Sequence, residues 1–129
     1  MSNCFYAILP TCMGWVGVVG SEKGIRKLAL PQSSPQQAVE QIQPAARDAE
    51  LAPARFEELR QQLETYFSGE PIAFDQELDL EGAPAFFLRA WDACRTIPRG
   101  ATRSYAWLAA RAGNPRAVRA AGQAMAHNP

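Results

Sequence analysis

Short apolar runs separated by turns mark the first thirty positions in the manner of strands. Residues 4–9, 15–19 and 25–30 read as three short strands, the last apolar at roughly every second position in its second half, and turns containing glycine fall at 10–14 and 20–24. Strands this closely spaced pair antiparallel, because a parallel partner needs a long crossover. Residues 31–35 break the pattern, and Ser34-Pro35 supply an N-cap and a first helical residue for a helix to about residue 43. From Pro53 the period changes. Phe56, Leu59, Leu63 and Phe67 recur at three- and four-residue spacing with charges between them, and Gly69-Glu70-Pro71 ends the run. This is an amphipathic helix whose aromatic stripe belongs to a core. Residues 71–82 are acidic and alternate weakly, as an extended connector would.

The rest of the chain reads as helical. A helix from 84 to about 96 carries Phe87, Ala90, Trp91 and Cys94 on one face, which predicts a buried Cys94. Ser104 caps a short helix through 111, and Asn114-Pro115 open another over 116–126, with Val118, Ala121 and Met125 as its core face. Two short helices joined by a turn containing glycine suggest a helix-turn-helix. The expected fold class is α+β. A small three-stranded antiparallel sheet domain with helices spans 1–80, and a helical winged-helix-type domain lacking its wing spans 84–129.

Composition narrows the function. With 47% hydrophobic and 20% charged residues the 129-residue chain can bury a core. No apolar run reaches the roughly 18 residues of a membrane helix, and Met1-Ser2-Asn3-Cys4 does not open a signal peptide, so no membrane partner and a cytoplasmic location are expected. Three scattered cysteines, one histidine and no CxxC argue against a disulfide framework and against a zinc site. The net charge of zero conceals a division. Residues 1–83 hold six Lys or Arg against twelve acids, a net of −6, whereas residues 84–129 hold seven arginines against Asp92 alone, a net of +6. A basic half built only from arginine suits a polyanion, since guanidinium forks onto phosphate and stacks on bases. Charge by itself also allows a basic half docked on its acidic neighbour, or a solvated surface.

The final helix is poor in bulk. Arg119 stands about 100° around it from Val118, among alanines that do not obstruct it. Such an arginine can enter a groove or occupy the space of an absent base. The pattern alone equally allows a surface arginine on a helical hairpin.

Ile97-Pro98-Arg99-Gly100-Ala101-Thr102-Arg103-Ser104-Tyr105, then Leu108-Ala109, then the run from Gly113-Asn114-Pro115 through Arg119 to Gly122 and Met125, and finally Asn128-Pro129, follow IPxGxTxSY, LA, GNPxAxRAxGxAM and NP. In these motifs the chain resembles the O6-alkylguanine-DNA alkyltransferase family. Phe86, Trp91 and the turn from Thr11 to Val16 fit it more loosely. The resemblance implies an N-terminal α/β domain on an antiparallel sheet and a C-terminal winged-helix domain. It implies direct-reversal DNA repair, in which O6-alkylguanine is turned out of the duplex and its alkyl group passes irreversibly to one cysteine. By motif, Tyr105 would press on the phosphate beside the target nucleotide. Arg119 would fill the vacated stack from the minor groove. Asn114 would cap the recognition helix near the DNA backbone, and Asn128 would support the active-site turn. Where the family pattern often has a polar residue after the tyrosine, this chain has Ala106. The implied partner is double-stranded DNA containing O6-alkylguanine, bound by a monomer without cofactor or metal.

The family's acceptor cysteine lies in Pro-Cys-His-Arg, which does not occur in these residues. Cys94 is expected to be an inert core thiol. Cys4 and Cys12 belong to the acidic half, where a negative field raises a thiol pKa. His127 precedes the position of the active-site turn and takes no catalytic role. No catalytic residue is therefore assigned, and these residues alone are expected not to transfer alkyl groups. Asn128-Pro129 has the character of a connector, so the expectation is a piece of a longer protein, cut before the active-site motif, or a degenerate relative. The competing readings are a lesion-binding protein without transfer, a small helix-turn-helix transcription regulator, and a folded remnant that does not bind DNA.

Overall fold

The first strands form because their two faces are both covered. The computed structural model describes residues 3–129, and the chain divides into a unit up to Asp79, with Pro129, and a second unit, Leu80–Asn128. In the first unit β1 (Cys4–Thr11) and β2 (Gly14–Ser21) pair antiparallel along their whole length, and β3 (Gly24–Leu28) pairs antiparallel with β2 through an irregularity at Val19 and Gly20. Helix α1 (Pro35–Gln41) starts at the expected cap: the Ser34 hydroxyl accepts from the Gln37 N–H at 3.2 Å. A two-residue strand, β4 (Glu50–Leu51), then adds in parallel to β1 opposite Phe5 and Tyr6. The sheet is thus four-stranded, in the order β3-β2-β1-β4, rather than three-stranded. So short a strand has no periodicity of its own and exists only through its partner.

The Phe56–Phe67 stripe folds as expected, in a 3-10 turn Pro53–Phe56 followed by α2 (Glu57–Phe67). Phe56, Leu59 and Leu63 close over Phe5, Ala7, Leu9, Val16 and Val18. The opposite face packs Val19, with the half-buried Tyr6 and Ile8, against Ala29, Ile42 and Ala46. There α1 comes so close that a β-carbon on Gly17 would stand 2.7 Å from Ile42 Cγ2 and 2.8 Å from the Ala38 carbonyl oxygen. The acidic connector returns to the sheet. Ile25 N–H donates to the Glu77 carbonyl at 2.9 Å, and Asp79 N–H to the Ile25 carbonyl at 2.8 Å. Asp79 is buried, receiving the Ser21 hydroxyl and the Arg26 guanidinium, the latter at 3.1 Å.

The second unit contains three helices, α3 (Ala85–Cys94), α4 (Tyr105–Arg111) and α5 (Val118–Ala126). Their shared core is mostly alanine: Ala90, Ala93, Ala109, Ala112, Ala121 and Ala124, with Trp91 and Leu108 as the large members. Small residues let the helices approach, and Trp91 fills the remaining volume while its indole N–H donates to the Ala124 carbonyl at 2.8 Å. Arg89 Nε donates to the Ala112 carbonyl at 2.9 Å, satisfying the C-cap of α4.

Three local expectations are corrected. The last helix begins at Val118, not 116, because Asn114 and Pro115 form a turn before it. Val118 is 39% exposed, and the core face is Ala121 and Ala124 with a half-buried Met125. The contact with Trp91 centres burial on Ala124, leaving the first residue of the helix outside it. Cys94, the last residue of α3, is half-buried rather than buried.

Candidate nucleic-acid interface

Each predicted site residue takes its position from a local feature of the second unit. The Ser104 hydroxyl accepts from the Trp107 N–H at 3.0 Å, so α4 begins sharply at Tyr105. Tyr105 is 55% exposed. Its ring faces α5 at Gly122, where a β-carbon would stand 3.5 Å from Cδ2 and Cε2 of the ring. Arg119 is exposed, second in α5 and one turn before Gly122, so the tyrosine contact and the arginine lie on neighbouring positions of one helix flank.

Asn114 is exposed in the turn between α4 and α5. The turn follows Gly113, whose φ of 95° suits a residue without a β-carbon at the end of a helix. Asn114 does not cap α5, the role implied by the resemblance. Its Oδ1 accepts from the Arg116 N–H at 3.2 Å, and its carbonyl accepts from the Ala117 N–H at 3.0 Å. An Asn side chain bonding two residues ahead makes a turn, and the helix starts only after it. Asn128 is exposed beyond the other end of α5, its N–H donating to the Met125 carbonyl at 3.3 Å. The structure therefore sets Tyr105 against the middle of α5, one turn from Arg119, while Asn114 lies in the turn before α5 and Asn128 beyond its far end.

Trp107 has no part in the motifs, yet two arginines converge on it. The guanidinium carbons of Arg103 and Arg111 each lie 5.6 Å from its ring centroid. The four-residue spacing of Trp107 and Arg111 sets them on one side of α4, and Arg103, just before the Ser104 cap, reaches the same ring from outside the helix. The rest of the surface between them is small: Ala106 and Ala110 are both exposed.

The other chemically capable groups are accounted for. Cys12 is exposed in the β1–β2 turn, and its thiol pKa is raised, first by desolvation and then by the Glu64 carboxylate. The His127 ring stacks on Phe87 at 6.0 Å, with Nδ1 2.9 Å from the Gln123 carbonyl. Among the described residues no three His, Cys, Asp or Glu side chains gather as a metal site would require.

Comparison with known proteins finds two family matches that together span most of the chain. Residues 4–80 match the ribonuclease-like domain of 6-O-methylguanine DNA methyltransferase, and residues 85–129 match its DNA binding domain. The chain belongs to the 6-O-methylguanine DNA methyltransferase family. It is 34% identical to the methylated-DNA–protein-cysteine methyltransferase of Methanosarcina acetivorans over 125 residues, which is 97% of this chain and 76% of that protein. It is 36% identical to the constitutive enzyme of that name from Bacillus subtilis over 124 residues, 96% of this chain and 73% of the relative. The namesake from Mycolicibacterium paratuberculosis is 49% identical over 77 residues, 60% of this chain; that match spans just under half of the relative, 46%. Among solved structures, that of Mycobacterium tuberculosis OGT in complex with DNA superposes with a TM-score of 0.77 at 36% identity, covering 97% of this chain and 71% of that one. The M. tuberculosis O6-methylguanine methyltransferase crystal structure gives 0.78 at 33%, covering 98% and 72%. Family membership accounts for the division of charge: the arginine-rich half coincides with the DNA binding domain match.

Proposed function

We propose that these residues form the lesion-recognising body of a direct-reversal DNA repair protein that binds double-stranded DNA containing O6-alkylguanine. In the complete reaction the alkyl carbon leaves the guanine oxygen for a cysteine sulfur, without cofactor or metal. The chain's own residues bind the duplex and turn the damaged base out. Turning out a base costs a few kcal/mol of stacking and pairing, so something must fill the hole. Arg119 takes that part, and Tyr105 presses the neighbouring phosphate. Asn114 approaches the backbone from its turn, and Asn128 supports the acceptor's turn. The observation that carries the reading is Tyr105 packed on Gly122 one turn from an exposed Arg119, in a unit whose cations are all arginine.

None of Cys4, Cys12 and Cys94 is the acceptor. The raised pKa of Cys12 keeps its thiolate scarce. Cys4 lies in β1 of the first unit, and Cys94 is half-buried at the end of α3. The protein acts as a monomer in the cytoplasm. Among the described residues no helix is long and apolar enough to cross a membrane.

The test is competition binding of the 129-residue chain to matched duplexes with and without one O6-methylguanine, followed by intact mass. The reading expects salt-dependent binding, preference for the damaged duplex, and an unchanged mass. Binding without that preference would favour a helix-turn-helix regulator, and no salt-dependent affinity would leave a folded remnant. A methyl group on Cys4, Cys12 or Cys94 would overturn the assignment of the chemistry.

A further inference from the structure

Arg103 and Arg111 are exposed at the two ends of α4, and each guanidinium carbon stands 5.6 Å from the Trp107 ring centroid. That separation lies within the range of cation–π attraction. It also limits the distance between the two guanidinium carbons to twice that value. Trp107 itself is half-buried and packs against the alanine-rich core, so the platform is anchored while the two charges are not. Among the described residues no carboxylate forms a salt bridge with either arginine. The Arg103 guanidinium does donate to the Thr102 carbonyl at 2.8 Å, which uses one of its five N–H groups.

Exposed arginines normally sample many rotamers and lose that freedom on binding. Two of them drawn to one anchored ring are partly ordered in advance, with most of their donors still facing solvent. An uncompensated pair of planar, bidentate donors fits the phosphate oxygens of a nucleic-acid backbone. We infer that Arg103, Trp107 and Arg111 form a phosphate clamp on α4, in which Trp107 is a positioning residue that holds both arginines ready for the sugar-phosphate backbone of duplex DNA. The clamp is indifferent to base identity and to damage. It rests on the DNA-binding reading above and adds a backbone contact separate from Tyr105 and Arg119.

The experiment measures affinity for an undamaged duplex of mixed sequence against salt concentration, for the unaltered chain and for R103Q, R111Q, R103Q/R111Q, W107L and W107F. Each released phosphate contact lowers the slope of log affinity against log salt by about one. R103Q and R111Q should each show that loss, equally on damaged and undamaged duplex. W107L, which removes both cation–π contacts, should weaken binding at least roughly two- to fivefold, the range one such contact corresponds to. It should have no further effect in the R103Q/R111Q background, and W107F should recover most of the loss. Circular dichroism and thermal melting separate a lost clamp from a lost fold. The exposed arginine variants carry the test if W107L does not fold. Unchanged slopes in R103Q and R111Q, or an equal effect of W107L in both backgrounds, would overturn the clamp while leaving DNA binding in place. No salt-dependent binding by the unaltered chain would overturn both readings together.

Discussion

The ring of Tyr105, first residue of α4, lies against the backbone of Gly122 in α5, so that a β-carbon at position 122 would stand 3.5 Å from both Cδ2 and Cε2 of the ring. That distance is ordinary van der Waals contact, with room for one methyl group and no more. Gly122→Ala should therefore stabilise the chain by about 0.5–1 kcal/mol, the usual gain for replacing a helical glycine, and leave duplex affinity unchanged. Gly122→Leu should push the tyrosine ring aside and weaken binding. Thermal melting and duplex titration of the two variants check this, and a loss of stability in the alanine variant would count against the packing described.

Arg119 should be dispensable for folding. It is exposed on the second position of α5, so Arg119→Ala should change stability by no more than about 0.5 kcal/mol. Its effect should fall on selectivity: the preference for a duplex containing O6-methylguanine should collapse while general salt-dependent binding persists. Competition between damaged and undamaged duplexes measures this, and an undiminished preference would remove Arg119 from the proposed role.

Asp79 should matter to folding and not to DNA. Its side chain is 3% exposed and joins the Ser21 hydroxyl to Arg26, which itself remains 33% exposed. Because the arginine can still reach water, breaking the cluster costs less than a fully buried pair would. Asp79→Ala should lose about 1–3 kcal/mol and Ser21→Ala about 1 kcal/mol in denaturant unfolding. Equal stability of Asp79→Ala and the unaltered chain would mean that the connector is not held to the β2–β3 hairpin in this way.

Cys12 gives a prediction in pH. Its thiol pKa is raised, chiefly by desolvation and further by Glu64, whose carboxylate also accepts the Cys12 backbone N–H at 2.9 Å. A raised pKa leaves less thiolate at neutral pH, and the thiolate is the reactive form. Alkylation of Cys12 by iodoacetamide should be slower than that of a free thiol between about pH 7 and 8.5. Glu64→Gln should speed it and move its pH profile toward lower pH. An unchanged profile would show that the carboxylate does not govern this thiol.

The sequence by itself determined the features whose causes lie within a few residues. The Ser34 and Ser104 caps are legible because each side chain bonds a backbone N–H three residues ahead, and the hairpin strands and the stripe from Phe56 to Phe67 are legible from their turns and their periodicity. The motifs from Ile97 onward likewise name Tyr105, Asn114 and Arg119. Tertiary structure decided what depends on distant partners. Strand β4 exists only against β1, and the acidic connector buries one carboxylate because Ser21, 58 residues earlier, stands ready to meet it. The start of α5 was decided at short range, yet against the pattern: the Asn114 side chain satisfies its own turn, so the helix waits until Val118. Trp107 shows the same division. Its spacing from two arginines is visible in the sequence, but only the folded core anchors the ring on which their charges are held. Local hydrogen bonds and periodicity are encoded by neighbours, whereas burial is granted by residues that only folding brings near.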